Sequence, residues 1–354
     1  MTFKIGILNG DGIGLEVVPE SVKVMTAAAD RAGLELAWSE LPVGEAAHAQ
    51  YGTTIPDDTV AALKNQHGFI LGPFGHAAYP QNDPTWAFPP LRKMHDLFAS
   101  VKPVKSYSNI ASVHKNVDIV FVREVTEGMQ SADGVLAGTG ELRPNNDTAI
   151  GLRVITRRGS SRVAHEAFEI ARRRPKKRVT AVHKAAVYKQ TCGMFAEECR
   201  AAADNYPDVT FDEIHIDTIA AHLVMDPQDY DVIVTTNQFG DILTDLGAGL
   251  VGGLGLAPGL CVGDNQAMAQ ATHGSAPDIA GKGIADPYAM VMSGKMLIEW
   301  LGRKHGRPEA IETAKLIDTA IERVIANGKH LTMDLGGEAR TSQMGDAIVA
   351  AMSA

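Results

Sequence analysis

The sequence predicts an α/β fold with a substantially parallel sheet, and three observations lead to that fold class. Short apolar runs that end at glycine or charged residues alternate with longer segments of helical periodicity. Such alternation is typical of βαβ units, in which helices connect parallel strands. The chain has 354 residues, of which 45% are hydrophobic, so it is long and apolar enough for two domains.

The elements follow in chain order. A strand over Phe3–Leu8 ends in a glycine turn, and an amphipathic helix runs from about Gly14 to Ala32. Other apolar runs predict strands and other periodic segments predict helices. These strands are Gly68–Leu71, Val117–Val122, Val179–His183, Val209–Ile216 and Tyr230–Thr235. The helices are Ser160–Arg173, Gln190–Asp204 and Ile219–Val224, two long ones around 286–303 and 307–327, and a short one in the tail.

Residues 133–157 depart from this alternation. The segments VLAGTGEL and TAIGLRVITR flank the polar residues RPNND. Asparagine and aspartate favour tight turns because their side chains bond to the nearby backbone. A hairpin arm is therefore predicted here.

The charge balance excludes two classes of partner. The chain carries 33 Lys+Arg and 42 Asp+Glu, a net charge of −9, which does not suit a nucleic-acid or anionic-membrane binder. The one basic run, 172-RRRPKKR-178, follows a predicted helix and precedes a predicted strand. It is interpreted as a solvated helix end and turn, with a polyanion site as the alternative.

The cysteines and the N-terminus predict a cytoplasmic protein. Cys192, Cys199 and Cys261 form no CxxC pattern and cannot all pair, which indicates reduced thiols. The N-terminal residues MTFKIGILNGDG lack the layout of a signal peptide. The uncharged stretch 246–263 contains seven glycines and Pro258, so a core helix that ends in a glycine-rich loop is expected rather than a membrane span.

Two aspartates in 239-FGDILTDLGAGLVGGLGLAP-258 require a compensating charge. Asp241 and Asp245 stand four residues apart, so both carboxylates project from one face of a helix. Like charges at that spacing repel each other. Either Asp241 is a helix N-cap and Asp245 is solvated, or a cation lies between them.

Two glycine-rich segments have the character of nucleotide loops. In 9-NGDGIGLEV-17 the glycines follow a strand and open a helix, although the spacing GxGxG also suits a tight turn. In 272-THGSAPDIAGKGIADP-287 small residues leave many backbone N–H groups free. Asp278 there could accept hydrogen bonds from a ribose 2′-hydroxyl, which favours NAD over NADP. A purely structural loop is the alternative.

Charged residues of both signs follow the predicted strands. Ligands of α/β sheets bind at the carboxyl ends of the strands. Several cations and carboxylates together indicate a metal ion and an anionic substrate, whereas one such residue is usually a cap or an ion-pair partner. They are Arg92, Lys102, Arg123, Lys184, Asp217, Asp241 and Asp245.

These segments together resemble the β-decarboxylating dehydrogenases: the 3-isopropylmalate, isocitrate, homoisocitrate and tartrate/D-malate dehydrogenases. The matching pieces occur in family order over almost the whole chain, and the pattern is closest to 3-isopropylmalate dehydrogenase-like members. They are GDGIG, 91-LRKMHDLFASVKPVK-105, 122-VREVTEG-128, 182-VHKAAV-187, 215-HIDTIAAHLV-224, 237-NQFGDILTD-245 and 273-HGSAPDIAGKGIADP-287.

The resemblance implies a two-domain α/β homodimer with an isopropylmalate dehydrogenase-like fold, not a Rossmann fold. Residues 1–97 and 252–354 would form the cofactor-binding domain. Residues 98–251 would form the substrate, metal and dimerisation domain, with the protruding arm at about 133–157 clasping the partner. The active site would lie between the domains, with Lys184 and Asp217 serving the partner's site.

The resemblance also implies the site residues. Asp241, Asp245 and the partner's Asp217 would bind Mg²⁺ or Mn²⁺, a set that suits a hard octahedral cation. Arg92, Lys102 and Arg123 would hold the carboxylates of a 2-hydroxydicarboxylate, with Phe88 and Gln130 beside it. Lys184, its neutral form favoured by nearby cations, would help remove the hydroxyl proton as hydride passes to NAD. The NAD site would comprise Ile13, His273, Gly274, Ser275, Ala276, Asp278, Ile279 and Asp286.

Three positions depart from the family pattern. Gln130 replaces the tyrosine that protonates the enol, and an amide cannot deliver a proton near neutral pH, so Tyr188, water or another acid would substitute. Lys102 replaces an arginine and loses its planar fork. Asp286 replaces an asparagine near adenine and, as a carboxylate, cannot donate to a ring nitrogen, so an altered NAD affinity is expected.

The residues before Arg92 are expected to set specificity. Trp86, Phe88 and Pro89 are apolar, which favours an apolar C3 substituent, as in isopropylmalate, or none, as in D-malate. They could instead pack under the domain hinge. D-malate/tartrate or homoisocitrate oxidation, oxidation without decarboxylation, and a non-catalytic regulatory or binding subunit are the alternative functions.

Overall fold

The structure is a computed structural model that describes residues 1–80, 82–87, 90–129 and 140–353. The chain divides into two compact units. The first comprises Met1–Leu91, Tyr107–Val113 and Gly252–Ala354, and the second comprises Arg92–Ser106 and His114–Val251. Residues 92–97 therefore fall in the second unit and residues 107–113 in the first, whereas the sequence places both the other way round. The roles expected of the two domains stay predictions.

Strands and helices alternate through most of the described residues. The strands are β1 (Phe3–Leu8), β2 (Leu36–Glu40), β3 (Gly68–Leu71), β4 (Ala99–Lys105), β5 (Asp118–Glu124), β6 (Glu141–Asn145), β7 (Thr148–Gly151), β8 (Arg178–His183), β9 (Thr210–His215), β10 (Val232–Thr235), β11 (Leu260–Val262) and β12 (Ala267–Ala269). The helices are α1 (Gly14–Ala32), α2 (Gly44–Tyr51), α3 (Asp57–Leu63), α4 (Leu91–Met94), α5 (Arg157–Arg172), α6 (Thr191–Ala203), α7 (Ile216–Met225), α8 (Asn237–Val251), α9 (Tyr288–Lys304), α10 (Pro308–Asn327) and α11 (Thr341–Ala351).

The first unit is built on strands in the order β2-β1-β3-β12-β11. β1 is parallel to β2 and β3, β12 is parallel to β3, and β11 runs antiparallel to β12. In β1 only Lys4 is exposed, as expected of a parallel strand covered on both faces. Helix α1 packs against α9, α10 and α11, and it ends at Gly33, whose φ of +68° suits a left-handed helix cap.

The second unit is built on strands in the order β4-β5-β10-β8-β9. β4 is antiparallel to β5, and the remaining neighbours are parallel. The core contains Phe121, Ile233 and Leu243, all fully buried. Helix α8 lies close to β5, since a Cβ on Gly247 would be 2.7 Å from Phe121 Cε2. The helix approaches the strand so closely that no side chain would fit, which explains why glycine occurs inside this apolar helix.

The predicted hairpin is confirmed for the part of the arm that the structure describes. β6 and β7 pair antiparallel around the Asn145–Thr148 turn, and Leu142 lies opposite Ile150. All residues of both strands are exposed, with Leu142 at 46% and Ile150 at 42%. An isolated two-stranded hairpin is marginally stable in water, and burial of this exposed apolar pair would stabilise it. Residues 133–139 of the predicted arm lie outside the described residues.

The sequence predicts the longest elements well and the short ones poorly. All six predicted strands and all seven predicted helices occur, with ends that shift by up to three residues where the prediction gave them. The elements that it misses are β2, β4, β11, β12, α2, α3 and α4. β4 is not predicted because its sequence, ASVKPVK, contains two lysines and a proline. It pairs antiparallel with β5.

Other expectations are confirmed in detail. The basic run is a helix end and turn: α5 ends at Arg172, β8 begins at Arg178, and Arg174 Nε donates to buried Asp231 at 2.5 Å. The three cysteines are free and buried. The uncharged stretch after Asp245 completes α8, and no helix in the described part of the chain is both long and apolar enough to cross a membrane.

Candidate active-site residues

Lys184 and Asp217 meet at the carboxyl edge of the second unit's sheet. Lys184 follows β8 and Asp217 opens α7 after β9, and these two strands are parallel neighbours in register. Lys184 Nζ donates to Asp217 Oδ1 at 2.5 Å. This hydrogen bond from the ammonium holds the pKa of Asp217 below its ordinary value. The aspartate side chain is 66% exposed, so its other oxygen is accessible for a further ligand.

A histidine clamp fixes the backbone around Lys184. His183 Nδ1 accepts the Ala185 N–H at 3.1 Å, so Nε2 carries the proton and donates to Glu213 Oε2 at 2.9 Å. Arg200 donates to both oxygens of Glu213, at 2.6 and 2.9 Å. Burial alone would raise the pKa of Glu213, but the bonds from Arg200 and His183 outweigh it and lower that pKa. The sequence does not predict this network, because its members are far apart in the chain.

Arg123 belongs to β5, and its side chain contacts helix α8. It is 6% exposed, and its Nε and Nη2 donate to Asn237 Oδ1 at 3.0 and 2.6 Å. Its Nη1 forms an ion pair with Asp241. Asn237 is itself held, because its Nδ2 donates to the Glu127 carbonyl at 2.8 Å. The guanidinium is thus oriented before any ligand binds. Its positive charge partly balances the negative charge of the two aspartates.

Asp241 and Asp245 lie one turn apart on α8. The helix begins at Asn237, so Asp241 is in its second turn and the N-cap alternative is wrong. Among the described residues, no group of three His, Cys, Asp or Glu side chains is close enough to hold a metal ion. Asp217 therefore does not join the two α8 aspartates within one chain, and the site shared between subunits stays a prediction.

The remaining substrate residues are partly described. Arg92 lies in the short helix α4, and Lys102 Nζ, in β4, donates to Thr244 Oγ1 of α8 at 3.5 Å. Trp86 packs inside the first unit, stacked on His48 at 3.8 Å between ring centroids and tilted against Tyr79. Phe88, Pro89 and Gln130 lie outside the described residues.

Tyr188, the candidate proton donor, lies one helical turn after Lys184. Its N–H donates to the Lys184 carbonyl at 2.9 Å, and its side chain is 50% exposed. The guanidinium of Arg153 lies 5.5 Å from the Tyr188 ring centroid and 4.8 Å from that of Phe239, and it donates to Thr236 Oγ1 at 3.0 Å. Arg153 is a cation that the sequence does not predict as a site residue, since it lies in the last part of the predicted arm and not after a core strand.

The two predicted nucleotide segments meet in the first unit. Ile13 N–H donates to the Ser275 carbonyl at 2.9 Å. Gly12 has a φ of +57°, and a Cβ there would lie 2.1 Å from the Ser275 oxygen, so this contact requires glycine. Asp11 acts inside the protein, where it accepts from the N–H groups of Glu45 and Gly75.

A cavity of about 200 Å³ lies beside this contact. Among the described residues, its lining includes five of the eight predicted cofactor residues. These are Ile13, His273, Ala276, Ile279 and Asp286, and the lining is completed by Gly255, Ile284, Ala285, Met333 and Asp334. Gly274, Ser275 and Asp278 belong to the same loop but not to the cavity lining.

The cavity fits a nucleobase on physical grounds. Its walls are mostly apolar, and two buried polar atoms, His273 Nε2 and Asp286 Oδ2, have no hydrogen-bond partner among the described residues. Buried polar atoms are normally paired, so these two are available to a ligand. Burial lowers the pKa of His273, which favours the uncharged imidazole. A flat base with polar edges matches this combination.

Glycine at position 240 is required by the Arg123 geometry. A Cβ there would lie 2.6 Å from Arg123 Cγ, so Gly240→Ala should displace the guanidinium and destabilise the protein by about 1–3 kcal/mol. Gly193→Ala in α6 is the control, because an added Cβ meets no atom within 4 Å; it should stabilise by roughly 0.5–1 kcal/mol. Urea unfolding of both variants measures the difference, and equal stabilities would contradict the packing described.

Known proteins resemble the chain along its whole length. The family model for isocitrate/isopropylmalate dehydrogenase matches residues 4–348. A 3-isopropylmalate dehydrogenase of Archaeoglobus fulgidus is 40% identical over 345 residues, which cover 98% of each chain. An isocitrate/homoisocitrate dehydrogenase of Thermus thermophilus is 39% identical over 355 residues, which cover 99% of each.

A solved structure confirms the predicted fold class. The crystal structure of isocitrate dehydrogenase from Methylococcus capsulatus superposes with a TM-score of 0.86 and 38% sequence identity, covering 99% of this chain and 100% of that one. Family model, relatives and fold all agree with the resemblance carried by the sequence motifs. The chain therefore belongs to the isocitrate/isopropylmalate dehydrogenase family and is a decarboxylating hydroxy-acid dehydrogenase.

Proposed function

We propose that this protein catalyses the NAD- and divalent-metal-dependent oxidative decarboxylation of a (2R)-malate-type 2-hydroxy acid with an apolar C3 substituent, similar to 3-isopropylmalate. The main support for the proposal is the presence of two ion pairs in the second unit. One joins Lys184 to Asp217, and the other joins Arg123 to Asp241. Relatives named 3-isopropylmalate dehydrogenase support the reaction class.

Lys184 is the proposed base. Its amine takes the C2 hydroxyl proton while the C2 hydride passes to the nicotinamide, so C2 becomes a carbonyl. The carboxylate on C3 then leaves as CO₂, and its bonding electrons form an enolate that is protonated at C3. The hydrogen bond from Lys184 Nζ to Asp217 Oδ1 holds the amine in a fixed direction at the end of β8.

Arg123 is the proposed carboxylate clamp. Asn237 fixes two nitrogens of the guanidinium, which removes most of the side-chain entropy cost of binding an anion. Lys102 supplies a point charge nearby on β4, and Arg92 is proposed as the third cation. Phe88 and Gln130 remain proposed substrate neighbours, and Tyr188 is the proposed acid for C3.

The α8 aspartates fit a divalent cation. Asp241 and Asp245 present carboxylate oxygens from one helix face, and oxygen ligands suit Mg²⁺ or Mn²⁺. When bound, such a cation would polarise the C2 oxygen and stabilise the negative charge that decarboxylation leaves. Asp217 of a second subunit is proposed to complete the ligand set.

NAD is the proposed cofactor of the first unit. Ile13, Ala276 and Ile279 supply apolar walls for the adenine, and Gly12 allows the loop at 272–287 to approach closely. Gly274 and Ser275 would offer backbone contacts, and Asp278, which is exposed, is proposed to accept from the ribose hydroxyls.

A homodimer is proposed, because apolar side chains are exposed on the elements that carry the site. On α7, Val224 and Met225 are 52% and 57% exposed, and on α8 Ile242 is 61% exposed. The Leu142–Ile150 pair of the hairpin is exposed as well. Burying such residues against a second copy stabilises both. Three free thiols support the proposed cytoplasmic location.

A substrate panel tests the function. We expect NADH and CO₂ in equal amounts from 3-isopropylmalate with NAD and Mn²⁺, with less turnover of D-malate, tartrate, isocitrate and homoisocitrate. Tyr188→Phe removes the proposed C3 acid and should slow turnover while its ring still packs beside Arg153.

Each other outcome of the panel has a defined meaning. Preference for D-malate or homoisocitrate would replace the substrate but keep the reaction. NADH without CO₂ would exclude decarboxylation, and metal-dependent substrate binding without turnover would favour a regulatory subunit. An unchanged rate in Tyr188→Phe would assign the C3 proton to water or another acid.

A further inference from the structure

The carboxyl group of Asp286 is buried beside a cavity whose described lining contains no lysine or arginine. Asp286 is 7% exposed, and its Oδ1 accepts the Tyr288 N–H at 2.8 Å. Its Oδ2 borders the 200 Å³ cavity and has no hydrogen-bond partner among the described residues. An ionised carboxylate in such surroundings is strongly disfavoured relative to the neutral acid.

The groups that face Asp286 do not favour its negative charge. Asp334, from the short turn at 333–335, lines the same cavity, and a Cβ on Gly255 would lie 2.5 Å from Asp334 Oδ2 and 3.4 Å from Asp286 Oδ2. Burial lowers the pKa of His273, which disfavours a positive charge on its ring. The Tyr288 hydroxyl is bonded to that of Tyr107 at 2.8 Å and is directed to it.

Burial and the neighbouring Asp334 together raise the pKa of Asp286 well above its ordinary value. None of the ten residues that line the cavity in the described part of the chain is a lysine or arginine. The Tyr288 N–H occupies Oδ1, so a proton on this acid belongs on Oδ2, the oxygen at the cavity. The group then presents an O–H donor to whatever fills the cavity.

We propose that Asp286 reads the adenine of NAD as a neutral carboxylic acid, with Oδ2–H donating to the ring nitrogen beside the amino group. The inference rests on the proposed use of NAD. An asparagine here, with Oδ1 accepting the Tyr288 N–H, would present an N–H donor at the same place. The acid therefore reproduces the amide pattern, and the expectation that Asp286 cannot donate holds only for its ionised form.

The proposal makes nucleotide binding depend on pH in a base-specific way. The donor is present while Asp286 is protonated and is lost when pH rises through its pKa, so NAD affinity should fall with rising pH. In nicotinamide hypoxanthine dinucleotide the same ring nitrogen carries a hydrogen. That N–H cannot accept a hydrogen bond from the neutral acid, but it can donate one to the carboxylate. The affinity for this analogue should therefore rise over the same pH range.

Calorimetric titration of the full chain with each dinucleotide across pH tests this inference. We expect NAD affinity to fall about tenfold or more as pH rises, which is the loss of one buried hydrogen bond. Asp286→Asn should bind NAD as tightly as the wild type does at low pH, with no pH dependence. Asp30→Asn, which changes an exposed carboxylate of α1 that has no role in the cavity, should keep the opposite slopes of the two dinucleotides.

Two results would overturn the proposal and are distinguishable. If both dinucleotides bind with the same pH response, or if Asp286→Asn retains the wild-type response, Asp286 does not act as a neutral donor although NAD use stands. If neither dinucleotide binds at any pH, the proposed NAD cofactor fails together with this inference.

Discussion

Lys184→Met should lower kcat by about 10²–10⁴-fold, the range for loss of a general base. The variant should fold normally, because the partner left unpaired, Asp217, is 66% exposed and a solvated ion pair contributes little stability. Steady-state NADH formation and a thermal unfolding scan measure the two effects. KM for the substrate should change far less than kcat.

The neighbouring Lys189→Met is the matched control. Lys189 is exposed five residues further along the chain, and the same substitution there removes the same charge. Its kcat should stay within about twofold of the wild type, as for an exposed side chain away from the site. Equal losses in the two variants would show that net charge, not proton transfer, is responsible.

Asp245→Asn should lower Mn²⁺ affinity by more than about 100-fold, the upper end for losing an outer hydrogen-bond partner of a metal ligand. Asp245 is exposed on α8, so its replacement should not unfold the protein. Turnover at limiting metal should fall in parallel and recover partly with excess Mn²⁺. Titration of Mn²⁺ followed by its paramagnetic signal gives the affinity directly.

Asp58→Asn, an equally exposed helix carboxylate on α3, provides the comparison for the metal site. It removes one negative charge from the first unit and should leave Mn²⁺ affinity unchanged. If Asp245→Asn also leaves it unchanged, the α8 aspartates are not metal ligands and the proposed reaction loses its cation.

Local signals explain which parts of the fold the sequence predicts. α1 is predicted with correct ends because a glycine turn precedes it and Gly33 ends it in a left-handed conformation. β1 is apolar except for Lys4, and β3 is a continuous run of four apolar residues. β2 is missed because none of its residues is fully buried, as in a strand at the edge of a sheet, so it lacks a continuous apolar run. β11 and β12 have three residues each, too few to show a periodicity.

The sequence predicts which residues form the candidate site, but it does not predict the contacts between them. Arg123 and Asp241 are 118 positions apart, and only the packing of α8 on β5 shows that they form an ion pair. His183 and Glu213 are likewise joined by neighbouring strands. The donor character of Asp286 depends on burial and on Asp334, neither of which is visible in a motif.

The Arg123–Asp241 ion pair has a consequence for the order of binding. Under the proposed function, a divalent cation would compete with the guanidinium of Arg123, which already forms an ion pair with the carboxylate of Asp241. A metal cation that binds this carboxylate would release Nη1 of Arg123, which could then bind a substrate anion. Metal and substrate would then be thermodynamically linked, each raising the affinity of the other by the same factor.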